Sequence, residues 1–133
     1  MTNKSKKILS EISAGELLDK ISILEIKIKM VKSKSGLKEI KKEYKILRKI
    51  QKSSITMKNR VKNLFNSLKN VNLKLWRIED KLRIYEKKKN FGKNFINLAR
   101  QVYINNDRRS KLKSKLNELL GSNIREIKEY IKY

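Results

Sequence analysis

The chain has 133 residues, enough for one domain with a single core and too few for two. It contains no Cys, no His and no Pro, which excludes thiolate zinc sites, disulfide staples, Cys or His nucleophiles and imidazole acid–base chemistry, so any catalysis would fall to carboxylates, Tyr, Lys, Arg or a carboxylate-bound metal. Its 36 Lys and Arg against 13 Asp and Glu give a formal charge of +23, the sign expected of a partner for nucleic acid or anionic lipid.

Twenty-eight of the basic residues are Lys, in a chain rich in Ile and Asn with only two Ala. That is the imprint of an AT-rich coding sequence, and it makes surface filling the first reading of the charge. No signal-peptide stretch opens the chain, and no run approaches the roughly 18 apolar residues of a membrane span. The expected location is cytoplasmic, with a peripheral position at the inner face of the membrane as the variant that the lysines allow.

Little in the composition breaks a helix. The predicted fold is all-α: an antiparallel helical bundle built on one long heptad-patterned central helix, a single helical domain over residues 1–133 with a frayed basic arm at 1–12. The first helix opens on a capping box, Ser13 with Glu16 three residues later, and runs to about Lys32. Leu17, Ile21, Leu24, Ile28 and Val31 form one stripe, and Glu16, Asp19, Ile23, Ile26 and Met30 a second, so this helix is expected to pack against two partners. Ser33 to Gly36 is read as its end. Leu37, Ile40, Tyr44, Leu47 and Ile50 mark a second helix to about Lys52, with Ser53-Ser54 as a break.

The third segment is the spine. Met57, Val61, Leu64, Leu68, Val71, Leu75, Ile78, Leu82 and Tyr85 fill nine successive heptad core positions, predicting a helix from about Ile55 to Lys89, roughly 50 Å long. That seam serves packing against the first two helices or a dimeric coiled coil, so a homodimer stays open. Asn90-Phe91-Gly92 closes the spine. Phe95, Leu98, Ala99 and Val102 begin a fourth helix that carries Leu112, Leu116, Leu119 and Leu120 to Gly121, with a kink or fresh cap expected at Asn106-Asp107. A last short helix is predicted from Ser122-Asn123, where Asn123 and Glu126 have capping-box spacing, burying Ile124, Ile127 and Ile131.

The acids are not scattered. Seven of the 13 lie in three short segments with most of the arginines. On the spine, Asn72, Trp76, Glu79, Arg83 and Glu86 share a face beside the seam, with Asp80 adjacent. Arg100, Tyr103 and Asp107 share a face of the fourth helix, with Arg109 beyond, and Glu16 and Asp19 share a face of the first. Brought together, these faces would hold a sugar or phosphate ligand: Arg forks bind anionic oxygens, carboxylates and Asn hold hydroxyls, and a Trp face stacks on a ring. The competing reading is structural, since Glu79 and Arg83 are an ordinary i,i+4 pair and Glu16 is explained by capping.

No catalytic residue, cofactor or metal is assigned. Glu79 and Asp80 are adjacent and point about 100° apart on a helix, so they cannot jointly flank one bond. Glu16-x-x-Asp19 and Glu126-x-x-Glu129 have the spacing of all-α magnesium-dependent nucleotide pyrophosphohydrolases, but serve equally as helix-start acids.

The segments SAGELLDKISILEIK (13–27), VNLKLWRIEDKLRIYE (71–86), FINLARQVYINNDRR (95–109) and SNIREIKEY (122–130) resemble, in that order, a family of small bacterial proteins known only as a domain of unknown function. Its members tend to be encoded beside glycosyltransferases of lipopolysaccharide and other surface glycans. The resemblance covers nearly the whole chain except 31–60. The family's motif positions fall here on Gly15, Glu16, Leu17, Asp19, Lys20, Glu25, Asn72, Trp76, Glu79, Asp80, Arg83, Glu86, Arg100, Tyr103, Asn106, Asp107 and Arg109. The sequence departs at Gly92, where the family prefers Asp after Phe, which puts the cap of the fourth helix in doubt. The resemblance implies an accessory or ligand-binding protein of surface-polysaccharide synthesis, whose partner is a glycan-related or phosphorylated ligand or a glycosyltransferase. A basic protein that binds nucleic acid or anionic membrane is the alternative.

Overall fold

In a computed structural model that describes residues 6–133, four helices follow in order: α1 Ala14–Met30, α2 Lys34–Ser54, α3 Asn59–Lys87 and α4 Lys93–Leu119. Residues 6–12 carry no helix; the first five residues of the predicted basic arm lie outside the described residues. Among the described residues there is no strand, and no helix is long and apolar enough to cross a membrane.

Helix α1 starts where the sequence says. Ser13 stands in extended conformation and its Oγ accepts from the Glu16 amide at 3.1 Å. The reciprocal half of the capping box does not form, because the Glu16 carboxylate turns outward to Lys113 at 2.6 Å. Ser33 does not belong to the end of α1: its Oγ accepts from the Gly36 amide at 3.2 Å and caps α2. Both stripes of α1 are used, with Leu17, Leu18, Ile21, Leu24 and Ile26 buried between α2 on one side and α3 and α4 on the other. Helix α2 packs on α1 alone, and Tyr44 on α2 donates to Glu25 at 3.0 Å.

The spine is the longest helix, and Val61, Leu68, Leu75 and Ile78 of its seam are buried. It pairs along its length with α4. Leu18, Val61, Leu68 and Leu116 form the centre of the core, closed by Ile55, Met57, Leu64, Phe65, Leu112 and Leu120. Met57 thus packs from the loop before α3, since the spine begins four residues later than its periodicity suggests.

Helix α3 ends with a 6→1 bond from the Asn90 amide to the Tyr85 carbonyl at 3.0 Å and one from Lys89 to Glu86 at 3.1 Å. Lys89 takes the left-handed conformation this needs, at φ 55°, where a Cβ is strained and Gly is not. Lys89→Gly should raise stability by about 1 kcal/mol, read from the urea midpoint. A fall would mean that the Lys89–Glu86 contact of 3.6 Å outweighs the strain. After the turn, Gly92 occupies the N-cap of α4 with no side-chain acceptor to offer.

Two sequence expectations fail in the last quarter. Helix α4 runs unbroken through Asn106-Asp107, and the Asn105 amide bonds back to the Gln101 carbonyl at 2.7 Å. The final short helix is absent: α4 terminates on Gly121 at φ 59°, and residues 125–133 carry no secondary structure. The proposed cap residues are used elsewhere, Asn123 donating to Glu11 at 2.7 Å and Glu126 accepting from Lys113 at 3.2 Å. Ile124, Ile127 and Ile131 are exposed. A helix this short cannot offset its nucleation cost without a face to pack on, and α3 and α4 already close the core.

The contacts fix the directions of the helices. On α1, Gly15 meets Asn117, Asp19 meets Asn72 and Arg109, and Ile26 lies level with Glu79 and Arg83. Helix α1 is therefore parallel to α3 and antiparallel to α4. The α1–α2 and α3–α4 turns come to the same end of the bundle.

Candidate functional site

The start of α1 is locked onto the end of α4. A Cβ at Gly15 would lie 2.5 Å from the Lys113 carbonyl oxygen and 2.9 Å from Asn117 Oδ1, so only Gly allows this approach. The opening amides of α1 are taken by side chains: Ala14 donates to Ser122 Oγ at 3.0 Å, Gly15 to Asn117 Oδ1 at 2.6 Å and Glu16 to Ser13. This contact sets the register that brings Asp19, one turn on, against Arg109.

Asp19 is 1% exposed. Arg109 grips it with both arms of its fork, Nε to Oδ1 at 2.8 Å and Nη2 to Oδ2 at 2.5 Å. Asn72 donates to Asp19 Oδ1 at 2.9 Å and to Ser22 Oγ at 2.8 Å, while the Ser22 hydroxyl donates to the Asp19 carbonyl at 2.7 Å. One carboxylate thus ties α1, α3 and α4 together. Burial pushes its carboxyl up, but the hydrogen bonds from Arg109 and Asn72 and the charges of Arg109 and Lys113 outweigh it and hold the group below its ordinary value. The bond to Asp19, opposed by burial, raises Arg109.

Lys113 is the second buried charge. Its ammonium bridges Glu16 at 2.6 Å and Glu126 at 3.2 Å, and burial, which pulls it down, is outweighed by Glu16, Asp19 and Glu126. The bond from Lys113 lowers Glu126 in turn, fixing the tail to the bundle.

Above the Asp19 cluster, between α1, α3 and α4, opens a cavity of about 440 Å³. Ile23, Ile26 and Leu75 wall it on the apolar side, while Asn72, Trp76, Glu79, Asp80 and Arg83 of α3 and Asn106 and Arg109 of α4 supply the rest. Asn72, Trp76, Glu79 and Arg83 of the polar stripe read on the spine therefore line one cavity, with Arg109 as both its floor and the partner of Asp19, while Glu86 lies outside it against Lys89. Glu79 and Arg83 form the i,i+4 pair, at 3.1 Å, an exposed contact of the kind worth under about 1 kcal/mol. Among the described residues the Asp80 carboxylate makes no hydrogen bond or ion pair.

The other predicted residues lie elsewhere. Glu16 belongs to the Lys113 cluster one turn away. Arg100 is exposed and outside the cavity wall. Tyr103 and Asp107 face the tail: Tyr133 donates to Asp107 at 2.5 Å and stacks edge-on against Tyr103 at 5.3 Å. The face of α4 that meets Trp76 is Asn106 with Arg109, displaced by one position from the stripe chosen on the sequence. Asn106 is a motif position of the resemblance, and that was the available signal. For Lys113, Asn117 and Ser122 there was none, because their partners on α1 are about a hundred residues away in the chain.

No group of three Asp or Glu side chains close enough to hold a metal occurs among the described residues. The Glu16-x-x-Asp19 pair is already neutralised, one carboxylate by Lys113 and the other by Arg109.

The molecule is a helical domain with a polar cavity built on a buried ion pair. It belongs to a family of unknown function, DUF6165, matched over residues 8–132. No characterised protein and no solved structure gives a significant match.

Proposed function

We propose that the chain is a cytoplasmic, non-catalytic binding protein of surface-polysaccharide synthesis, and that the cavity beside Trp76 receives a sugar ring. The observation that carries this reading is the juxtaposition of an indole, an unpaired carboxylate at Asp80, the guanidinium of Arg83 and the amide of Asn106 around one cavity with an aliphatic wall. A pyranose offers both an apolar face for such a wall and hydroxyls for such a rim. The size is in the range of small-ligand sites. The gene setting implied by the resemblance agrees with it.

Trp76 is the only tryptophan of the chain, so its fluorescence reports on the cavity alone. Titration with nucleotide-sugars and sugar phosphates at about 0.3 M salt, where screening suppresses charge-only binding, should give a saturable change. Loss of a charge-assisted hydrogen bond costs about 1.5–3 kcal/mol, so Asp80→Ala and Arg83→Ala, both at exposed positions, should each weaken binding by about tenfold or more with helicity unchanged. A flat response across the panel, or binding indifferent to both substitutions, would contradict the reading.

A further inference from the structure

The end of the bundle where the two turns meet brings lysines and exposed apolar side chains together around a single acid. Residues 29–36 and 84–96 hold seven lysines and a single acid, Glu86. Lys29, Lys32 and Lys34 come from the α1–α2 turn, and Lys87, Lys88, Lys89 and Lys93 from the α3–α4 turn, all of them exposed. The opposite end, residues 6–16, 50–62 and 113–126, is basic too but mixes its nine Lys and Arg with four acids, Glu11, Glu16, Glu118 and Glu126. Among the lysines stand large apolar side chains that the bundle leaves exposed: Ile84 is 52% exposed, Phe91 48% and Ile96 54%. Phe91 is held edge-on against Phe95 at 5.2 Å, on a turn closed by the Lys89 and Asn90 amides.

We propose that this end of the bundle docks on an anionic lipid surface, with Phe91 entering the headgroup layer. Ile84 lies four residues before the C-cap Lys88 and Ile96 four residues after Gly92. At 1.5 Å per helical residue both sit about 6 Å back from the tip, within the roughly 5–10 Å that apolar side chains of a surface-bound helix reach into the headgroup and acyl boundary. A plane across the hairpin axis can therefore take up all three apolar groups while the lysines meet lipid phosphates, their stems lying along the apolar surface. Nucleic acid fits this end less well. Phosphates would satisfy the lysines and the Phe91 ring offers one base a stacking face, but Ile84 and Ile96 offer neither a flat face nor a hydrogen bond. The proposal does not depend on what the Trp76 cavity binds.

The full chain is floated with vesicles of equimolar phosphatidylglycerol and phosphatidylcholine, and with phosphatidylcholine alone, at about 0.15 M salt, where the Debye length is about 8 Å. Binding is expected to the anionic vesicles only. Neutralising Lys87, Lys88 and Lys89 to Gln should lower the partition coefficient by on the order of a hundredfold, about fivefold for each lysine. Phe91→Ala should lower it by about tenfold. The comparison variant neutralises Lys42, Lys45 and Lys49 on the exposed side of α2, and should retain most of the binding.

Because the chain has no cysteine, Asn94→Cys carries an environment-sensitive dye at the tip, and its emission should shift to the blue on anionic vesicles while the same dye at Ser53→Cys does not shift. Equal losses from the two triple variants, an unaffected Phe91→Ala, or an unshifted dye at position 94 would overturn the proposal. So would a triple Lys87, Lys88 and Lys89 variant that loses single-stranded RNA yet still floats with the vesicles.

Discussion

Arg109→Ala is expected to cost about 3–5 kcal/mol of stability at neutral pH, the penalty of leaving a buried charge without its partner. Asp19 is 1% exposed, whereas the Arg109 side chain is 30% exposed at the cavity floor. The loss therefore falls on the carboxylate, left with the Asn72 amide and the more distant charge of Lys113. The pH dependence should change sign. In the native chain the folded pKa of Asp19 is depressed, so its contribution is complete above the unfolded value of about 3.9 and disappears as pH falls through the folded one. Without Arg109, burial dominates and raises the folded pKa above the unfolded one, so the variant binds a proton on folding and its deficit narrows as pH falls from 7 toward 4. Adding Asp19→Asn should recover about 1–2 kcal/mol by removing the charge. Urea unfolding of the three chains across that range decides it, and a small loss that does not vary with pH would mean that Arg109 does not hold Asp19 in solution.

Gly15→Ala is the second large effect. Alanine in a helix ordinarily gains about 0.5–1 kcal/mol over glycine. Here the added methyl would lie 2.5 Å from the Lys113 carbonyl oxygen and 3.1 Å from its carbon, atoms of the α4 backbone that cannot rotate away. Helix α1 must move off α4, straining the 2.6 Å bonds of Gly15 to Asn117 and of Lys113 to Glu16. A net loss of about 3 kcal/mol is expected, at the upper end of overpacking penalties. Asp19 is one turn further along the same helix, so the variant should also loosen the Arg109 clamp and reduce the protection of the cavity wall in hydrogen exchange. Gly36→Ala is the control, since its Cβ would meet only side-chain atoms at 3.4 Å, and it should be neutral or slightly stabilising.

The residues that determine these effects show which parts of the molecule can be read from sequence. Helix existence follows from apolar spacing and short-range caps, so Ser13, the α3 seam and the Gly92 turn were legible. The tail shows the limit: Ile124, Ile127 and Ile131 have helical spacing, but the side chains that would cap and orient them are drawn to Lys113, Glu11 and Asp107, a competition no local pattern records. The α3 half of the cavity was legible for the same reason as the seam, because Asn72, Trp76, Glu79 and Arg83 recur at helical intervals. On α4 the choice between neighbouring faces depends on the rotation of the helix, which Gly15 and Asn117 set from far away in the chain. Asp19 appeared as a site acid with no sign that Arg109, 90 residues on, would bury it.

The most direct measurement of the central claim, that three helices build one binding cavity on the Asp19–Arg109 clamp, is amide and indole chemical-shift mapping during a titration with sugar phosphates. Saturable shifts are expected together at Ile23 and Ile26 on α1, the Trp76 indole on α3 and Asn106 on α4, and are expected to be lost jointly in Arg109→Ala. Shifts confined to exposed lysine amides, or none at the Trp76 indole, would contradict that claim.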